Sequence, residues 1–239
     1  MKVLAIDCSA VAASVAIVSD DKILGFSYTN VGLTHSQTLV PMINATLTNS
    51  QISLDDVDCF AINAGPGSFT GVRIGVAALK GIAAFSEGNC IATSTLESMA
   101  YNYAGVRDCV VVAAMDARCA QAYTAVFRVS GDTVTRLVDD DAILISDLYD
   151  VIASLDVKND EIVFVGDGAH LCYNALNEKL PGAKLAPSHL LYQNAVSVAK
   201  LALARVKAGE KLVSAEEILP TYLRAPQAER ELKKKQDLK

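Results

Sequence analysis

Apolar runs and short polar turns alternate from the first residues at the spacing of a three-stranded meander. Lys2 to Asp7 reads as one strand, Ala13 to Val18 as a second and Ile23 to Tyr28 as a third, with a small-residue turn after the first and Ser19-Asp20-Asp21 after the second. The period then changes. Leu39, Met42, Ile43 and Leu47 recur three and four apart, which predicts an amphipathic helix over His35 to Asn49 with Pro41 near its first turns. A short apolar run, Cys59 to Asn63, leads into a second helix over Val72 to Phe85, marked by Ile74, Ala77, Ala78, Gly81 and Ile82, and a third helix is predicted over Thr95 to Tyr103.

The opening plan then restarts. Val110 to Asp116, Gln121 to Val129 and Thr133 to Val138 form a second predicted meander around Ser130-Gly131-Asp132. Glu161 to Val165 ends in Gly166-Asp167-Gly168 before a helical stretch, as Cys59 to Asn63 ends in Gly65-Pro66-Gly67. Asp7 and Asp116 close equivalent strands. The chain reads as a tandem duplication of one meander, helix, strand, Gly-x-Gly, helix unit. This predicts an α/β protein with a first lobe over residues 1–100, a second over 101–225 and a charged tail over 226–239, where Glu229 to Lys235 reads as a solvated end.

Bulk composition narrows the functional classes. The 239 residues are 51% hydrophobic and 20% charged, enough to bury a large core. A net charge of -6 argues against an extended nucleic-acid-binding face, so contact with RNA is expected through a partner. Cys8, Cys59, Cys90, Cys109, Cys119 and Cys172 form no Cys-x-x-Cys pair, and several sit in apolar runs typical of buried thiols, which fits a reducing cytoplasm. No apolar stretch has the length of a membrane helix, and Asp7 interrupts what would otherwise begin a signal-peptide core.

The most constrained string is Asn63-Ala-Gly-Pro-Gly-Ser-Phe-Thr-Gly-Val-Arg-Ile-Gly75, at a predicted strand-to-helix junction. Gly65 and Gly67 permit backbone closed to other residues, Pro66 fixes one φ, and Ser68 or Thr70 can cap the helix, whose N-terminus is a natural seat for an anion. It is not a Walker loop, because no lysine follows until Lys80. Nor is it a dinucleotide fingerprint, whose third glycine would fall at Thr70 where the chain has Gly71 one residue later.

That string resembles the signature of the TsaB family, also called YeaZ. The likeness extends to Leu4-Ala5-Ile6-Asp7-Cys8-Ser9, His35-Ser36, Pro41-Met42-Ile43, Met115-Asp116-Ala117-Arg118 and Pro220-Thr221-Tyr222-Leu223-Arg224, and so covers roughly residues 1–225. The resemblance implies the two-lobe fold of the actin, Hsp70 and sugar-kinase superfamily, with the helix over about 194–208 crossing back onto the first lobe. It implies a non-catalytic subunit of the bacterial complex that transfers a threonylcarbamoyl group to N6 of adenosine 37 in transfer RNAs reading codons that begin with A. The implied partners are TsaD, which carries the active site, and the ATPase TsaE, with a homodimer when TsaD is absent. No cofactor is expected to be tightly bound, although a nucleotide between subunits stays open.

The first turn, Asp7-Cys8-Ser9-Ala10-Val11-Ala12, lacks the glycine that superfamily members use to approach phosphate. The nucleotide site therefore reads as degenerate, with Asp7, Ser9, Gly65 and Gly67 as a vestigial phosphate site and Asp7 alternatively a plain strand-end residue. TsaD holds a metal through two histidines four apart on a helix; here His35 is followed four later by Leu39, so no metal is expected. The resemblance further implies that the first two helices join TsaD, with His35, Leu39, Ile43, Gly71, Arg73 and Gly75 among the contacts. Packing within the chain is the competing account of their apolar positions, and Asp116 with Arg118 reads as an ion-paired turn or as a functional pair. A stand-alone small-molecule kinase or nucleotide-binding enzyme, a metallopeptidase and a bare dimerising module remain as rivals.

Overall fold

In a computed structural model of the chain, the structure describes residues 1–20, 22–84, 89–158 and 160–224. Asp21, the last residue of the second predicted helix and the charged tail lie outside the described residues. The elements in order are β1 (Lys2–Asp7), β2 (Ala13–Ser19), β3 (Lys22–Thr29), α1 (His35–Ser50), β4 (Cys59–Asn63), α2 (Phe69–Ala83), β5 (Cys90–Thr93), α3 (Thr95–Ala100), β6 (Cys109–Arg118), β7 (Gln121–Ser130), β8 (Thr133–Leu144), α4 (Leu148–Ala153), β9 (Ile162–Val165), α5 (Ala169–Leu176), β10 (Lys184–Leu185), α6 (Ser188–Leu191) and α7 (Ala195–Lys207).

The duplication is visible in the strand orders, β3-β2-β1-β4-β5 in one sheet and β8-β7-β6-β9-β10 in the other. In each, the first strand of the meander pairs antiparallel with the second and parallel with the strand that ends in the glycine loop. β1 and β4 read as unbroken apolar runs because both faces of the first sheet are covered. On one face Leu4, Ile6, Val15, Ile17 and Ile62 meet Leu39, Ile43, Val72, Val76 and Leu79 of α1 and α2. On the other, Val3, Ala5, Ala16, Val18 and Ile91 meet Val198, Ala199, Ala202 and Leu203 of α7. The Asn194 side chain caps α7 by accepting from Ser197 N at 3.1 Å, and Ser14 Oγ accepts from Ala195 N at 2.9 Å, which fixes the helix on the first sheet.

Three elements depart from their predicted bounds by three residues or more. α2 starts at Phe69, three residues ahead of Val72, because Ser68 caps it. β8 runs six residues past Val138 to Leu144, through Asp139, Asp140 and Asp141. It is an edge strand, where carboxylates stay hydrated or find partners, and Arg136 and Ser94 both bond the Asp140 carboxylate. α3 stops at Ala100 and is followed by turns, so the predicted helix to Tyr103 is three residues too long. On the back of the molecule, Glu97 of α3 accepts from Arg136 of β8 at 2.8 Å and from Arg205 of α7 at 2.6 Å, joining the two lobes through a half-buried ion network.

Candidate functional site

The glycine loop and the first turn meet face to face. Ser68 N–H donates to the Ser9 carbonyl at 2.6 Å. A Cβ at Gly67 would lie 2.3 Å from that same oxygen, and one at Gly71 would lie 2.2 Å from the Cys8 carbonyl oxygen. Gly75 follows the same line, with Cys8 Sγ 2.7 Å from a Cβ position. Ser68 is the cap of α2: its side chain accepts from Gly71 N at 3.2 Å. The glycines therefore let the backbone of residues 8 and 9 press against the start of α2. Gly65 takes φ +123° and packs on the Thr221 carbonyl, where a Cβ would come within 2.3 Å.

Asp7 and Ser9 lie behind this junction. Asp7 is 1% exposed and accepts from Ser9 N at 3.0 Å, from Ser9 Oγ at 3.1 Å and from Asn63 Nδ2. Asn63 also donates to Ser98 Oγ at 2.9 Å, and Thr93 Oγ1 lies 2.9 Å from Asn63 Oδ1. Burial pushes the Asp7 carboxyl above its ordinary range, and the bonds from Ser9 and Asn63 pull it back. The vestigial phosphate residues Asp7, Ser9, Gly65 and Gly67 are thus brought together as a packed junction. A phosphate seated between these glycines would meet the chain's own Ser9, Cys8 and Thr221 carbonyl oxygens.

His35 begins α1 half-buried, with Nε2 2.7 Å from the Ala10 carbonyl oxygen. Leu39, four residues on, is 1% exposed in the core. Among the described residues no group of three or more His, Cys, Asp and Glu side chains could hold a metal ion.

Between the lobes lies a cleft of about 370 Å³ whose walls include Ser9, Ser68, Phe69, Asp116, Asp167 and Arg224. The second glycine loop repeats the first: Gly166 at φ +103° packs on the Ala114 carbonyl and Gly168 on the Asp116 amide. Asp116 forms the ion pair its sequence suggested, with Arg118 Nη1 at 3.0 Å, and it also accepts from Arg118 N at 2.8 Å. Burial pushes the Asp167 carboxyl from 3.8 up to about 6, helped by the Asp116 charge and opposed by its bond from Asp116 N. The folded chain then holds a proton on Asp167 that the unfolded chain releases between about pH 4 and 6, so this group costs stability as pH rises through that window. Asp167→Asn is expected to unfold at higher denaturant than the parent at about pH 8, by roughly 1–2 kcal/mol after allowance for its partial exposure, with the gap closing near pH 4. Chemical denaturation at the two pH values checks this.

The C-terminal segment, residues 221–224, lines the cleft, a feature without a periodic signal in the sequence. Thr221 N donates to the Ala64 carbonyl at 2.7 Å, the Tyr222 ring packs on Phe69 with centroids 5.0 Å apart, and Arg224 Nη1 donates to the Ala117 carbonyl at 2.8 Å. Arg73 of α2 lies with its guanidinium carbon 3.8 Å over Phe69 and donates through Nε to Tyr222 OH at 2.7 Å. The strap thus spans from α2 to the tip of the β6–β7 hairpin. That tip places Arg118, Cys119 and Ala120 at φ +64°, +55° and +56°, a left-handed run with no glycine in it. Ala120→Gly relieves one of these positions and is expected to add about 1 kcal/mol of stability, read as a shift in the urea midpoint at unchanged slope.

Of the six residues proposed for partner contact, Leu39, Ile43, Gly71 and Gly75 are buried within this chain, His35 is half-buried and Arg73 is exposed. The outer surface of the helix pair presents Val40, 47% exposed, with Asn44 and Thr48 on α1 and Thr70, Arg73, Ala77 and Gly81 on α2.

A family model of the tRNA N6-adenosine threonylcarbamoyltransferase TsaD matches residues 15–232. The chain is 32% identical over 225 residues to the tRNA threonylcarbamoyladenosine biosynthesis protein TsaB of Escherichia coli (strain K12), covering 94% of this chain and 95% of that one. It is 32% identical over 236 residues to TsaB of Haemophilus influenzae, covering 94% of each. Among solved structures, YeaZ from Pseudomonas aeruginosa matches with a TM-score of 0.78 at 27% identity, covering 93% of this chain and 99% of that one. A ROK hexokinase from Thermus thermophilus, at 11% identity and a TM-score of 0.50 over 87% of this chain and 100% of that one, shares the fold alone. The chain has the actin and sugar-kinase type of two-lobe fold and belongs to the TsaB (YeaZ) family of tRNA threonylcarbamoyladenosine biosynthesis proteins.

Proposed function

We propose that this protein is a non-catalytic subunit of the threonylcarbamoyladenosine-forming complex, required by a TsaD-family partner that carries the active site, with the ATPase TsaE as the third component. The observation that carries this reading is the closed junction: the Ser9 carbonyl of the first turn, which lacks the phosphate-approaching glycine, occupies the Ser68 amide at 2.6 Å and lies against Gly67. A chain that has filled its own phosphate seat keeps the two-lobe body as a scaffold. Its lobes divide near residue 100, and it works in the cytoplasm. No described helix is long and apolar enough to cross a membrane.

The contact surface in this reading is the outer side of α1 and α2. His35 and Arg73 frame it, while Leu39, Ile43, Gly71 and Gly75 set its shape from beneath. In the absence of the partner the same surface pairs two copies of the chain. Ala77→Arg places a long cation on the exposed face without touching the core, and it is expected to abolish co-elution with the TsaD-family partner while leaving the thermal midpoint unchanged. Undiminished co-elution of Ala77→Arg would move the contact to another face.

A further inference from the structure

The helix pair has a charge pattern that its apolar packing does not explain. α1 has 16 residues and α2 has 15, and neither contains an aspartate or glutamate, although the chain carries 27 acids and a net charge of -6. The charges on the pair are cationic. Lys80 is committed, donating through Nζ to the Glu216 carbonyl at 2.9 Å. Arg73 is exposed and has no carboxylate partner among the described residues. It is nonetheless held in place. Its guanidinium lies flat over Phe69 at 3.8 Å, 5.6 Å from the Tyr222 ring, and its Nε–H is taken by Tyr222 OH at 2.7 Å. An arginine fixed through Nε and one face presents its two terminal amines together, in the fork that matches the two oxygens of a carboxylate.

We infer that Arg73 is the docking point for a carboxylate on the partner, and that the α1–α2 face selects an acidic partner helix over a second copy of this chain. This rests on the proposed role of the face in partner binding. A two-fold contact between two copies would bring two faces together that carry cations and no acid, so the copies have no carboxylate to offer Arg73 from these helices. A partner helix that offers small or apolar side chains beside Val40 and Ala77, with one Asp or Glu opposite Arg73, gains a charge-assisted fork whose geometry is already set. Tyr222 holds the arginine in that geometry, so the C-terminal strap acts as a positioning element for the contact.

The test is titration calorimetry of the purified chain with its TsaD-family partner at low and high salt, beside sedimentation of the chain alone under the same conditions. Arg73→Glu is expected to weaken the heteromeric contact by more than 30-fold, and Arg73→Lys, which lacks the fork, by about 3–10-fold. Tyr222→Phe removes only the positioning bond and should weaken it less than Arg73→Lys. Salt should weaken the wild-type heteromeric contact but strengthen self-association, because it screens attraction in one and repulsion in the other. Circular dichroism and thermal unfolding of each variant establish that it is folded. Wild-type affinity in folded Arg73→Glu, or self-association that weakens with salt as the heteromeric contact does, overturns the inference and leaves the proposed function standing. Absence of any binding by the wild-type chain overturns both.

Discussion

Gly71→Ala is expected to destabilise the chain by about 3 kcal/mol or more, although alanine is the better helix former by nearly 1 kcal/mol. The sign reverses because of what the glycine faces. A Cβ at this position would lie 2.2 Å from the Cys8 carbonyl oxygen and 3.3 Å from His35, so the first turn or the start of α2 must move. The turn cannot move alone, since the next residue, Ser9, donates twice to Asp7 and accepts from Ser68. Gly81, ten residues along the same helix, has nothing within 4 Å of its Cβ position, and Gly81→Ala is expected to add about 0.5–1 kcal/mol. Urea unfolding of the pair separates the two effects. Equal gains in both would show that the first turn does not press on α2.

Asp7→Ala is the second large loss, about 4 kcal/mol. It would strand the Ser9 amide and hydroxyl, leave Asn63 Nδ2 with only its bond to Ser98 Oγ, and open a void at the end of β1, all in buried surroundings. Each orphaned donor forfeits its bond without access to water. Burial of the carboxyl offsets only part of this, because alanine removes the burial cost of one charge and leaves several unpaired donors in its place. An Asp7 that served a ligand would give the opposite pattern, with stability near that of the parent and a loss only in ligand-dependent activity. Denaturant midpoints for Asp7→Ala and Asp7→Asn read the difference, with Asn expected to retain more stability because it keeps one acceptor oxygen.

The two meanders were legible because their strands are buried on both faces and read as unbroken apolar runs between short polar turns. β8 was cut short at Val138 because three successive aspartates look like a turn, and only the edge position of the strand makes them tolerable. The strand-to-helix junction at residues 63–75 was also legible, with Ser68 and Thr70 as alternative caps, of which the chain uses Ser68. What the glycines face was not. Spacing shows that a position must be small and leaves open whether a ligand or a neighbouring backbone approaches it, and here the neighbours are the Ser9, Cys8 and Thr221 carbonyls. The same limit applies to Leu39 and Ile43, whose helical spacing marks an apolar face without naming the surface that covers it. In this chain the first sheet covers it. The strap that places Tyr222 on Phe69 and Arg224 on Ala117 joins residues more than a hundred positions apart through single bonds, which leave no periodic trace.

The central claim is that this chain is required for threonylcarbamoyl transfer without performing it. Its most direct test is a reconstituted reaction containing transfer RNA, threonine, bicarbonate, ATP, the enzyme that makes threonylcarbamoyl-adenylate, TsaD and TsaE, assayed for modified adenosine with and without the chain. The account predicts product only when the chain is present, and undiminished product when the chain carries Asp116→Asn and Asp167→Asn together in its cleft. Equal product without the chain, or loss of product with that folded double variant still bound to TsaD, would contradict it.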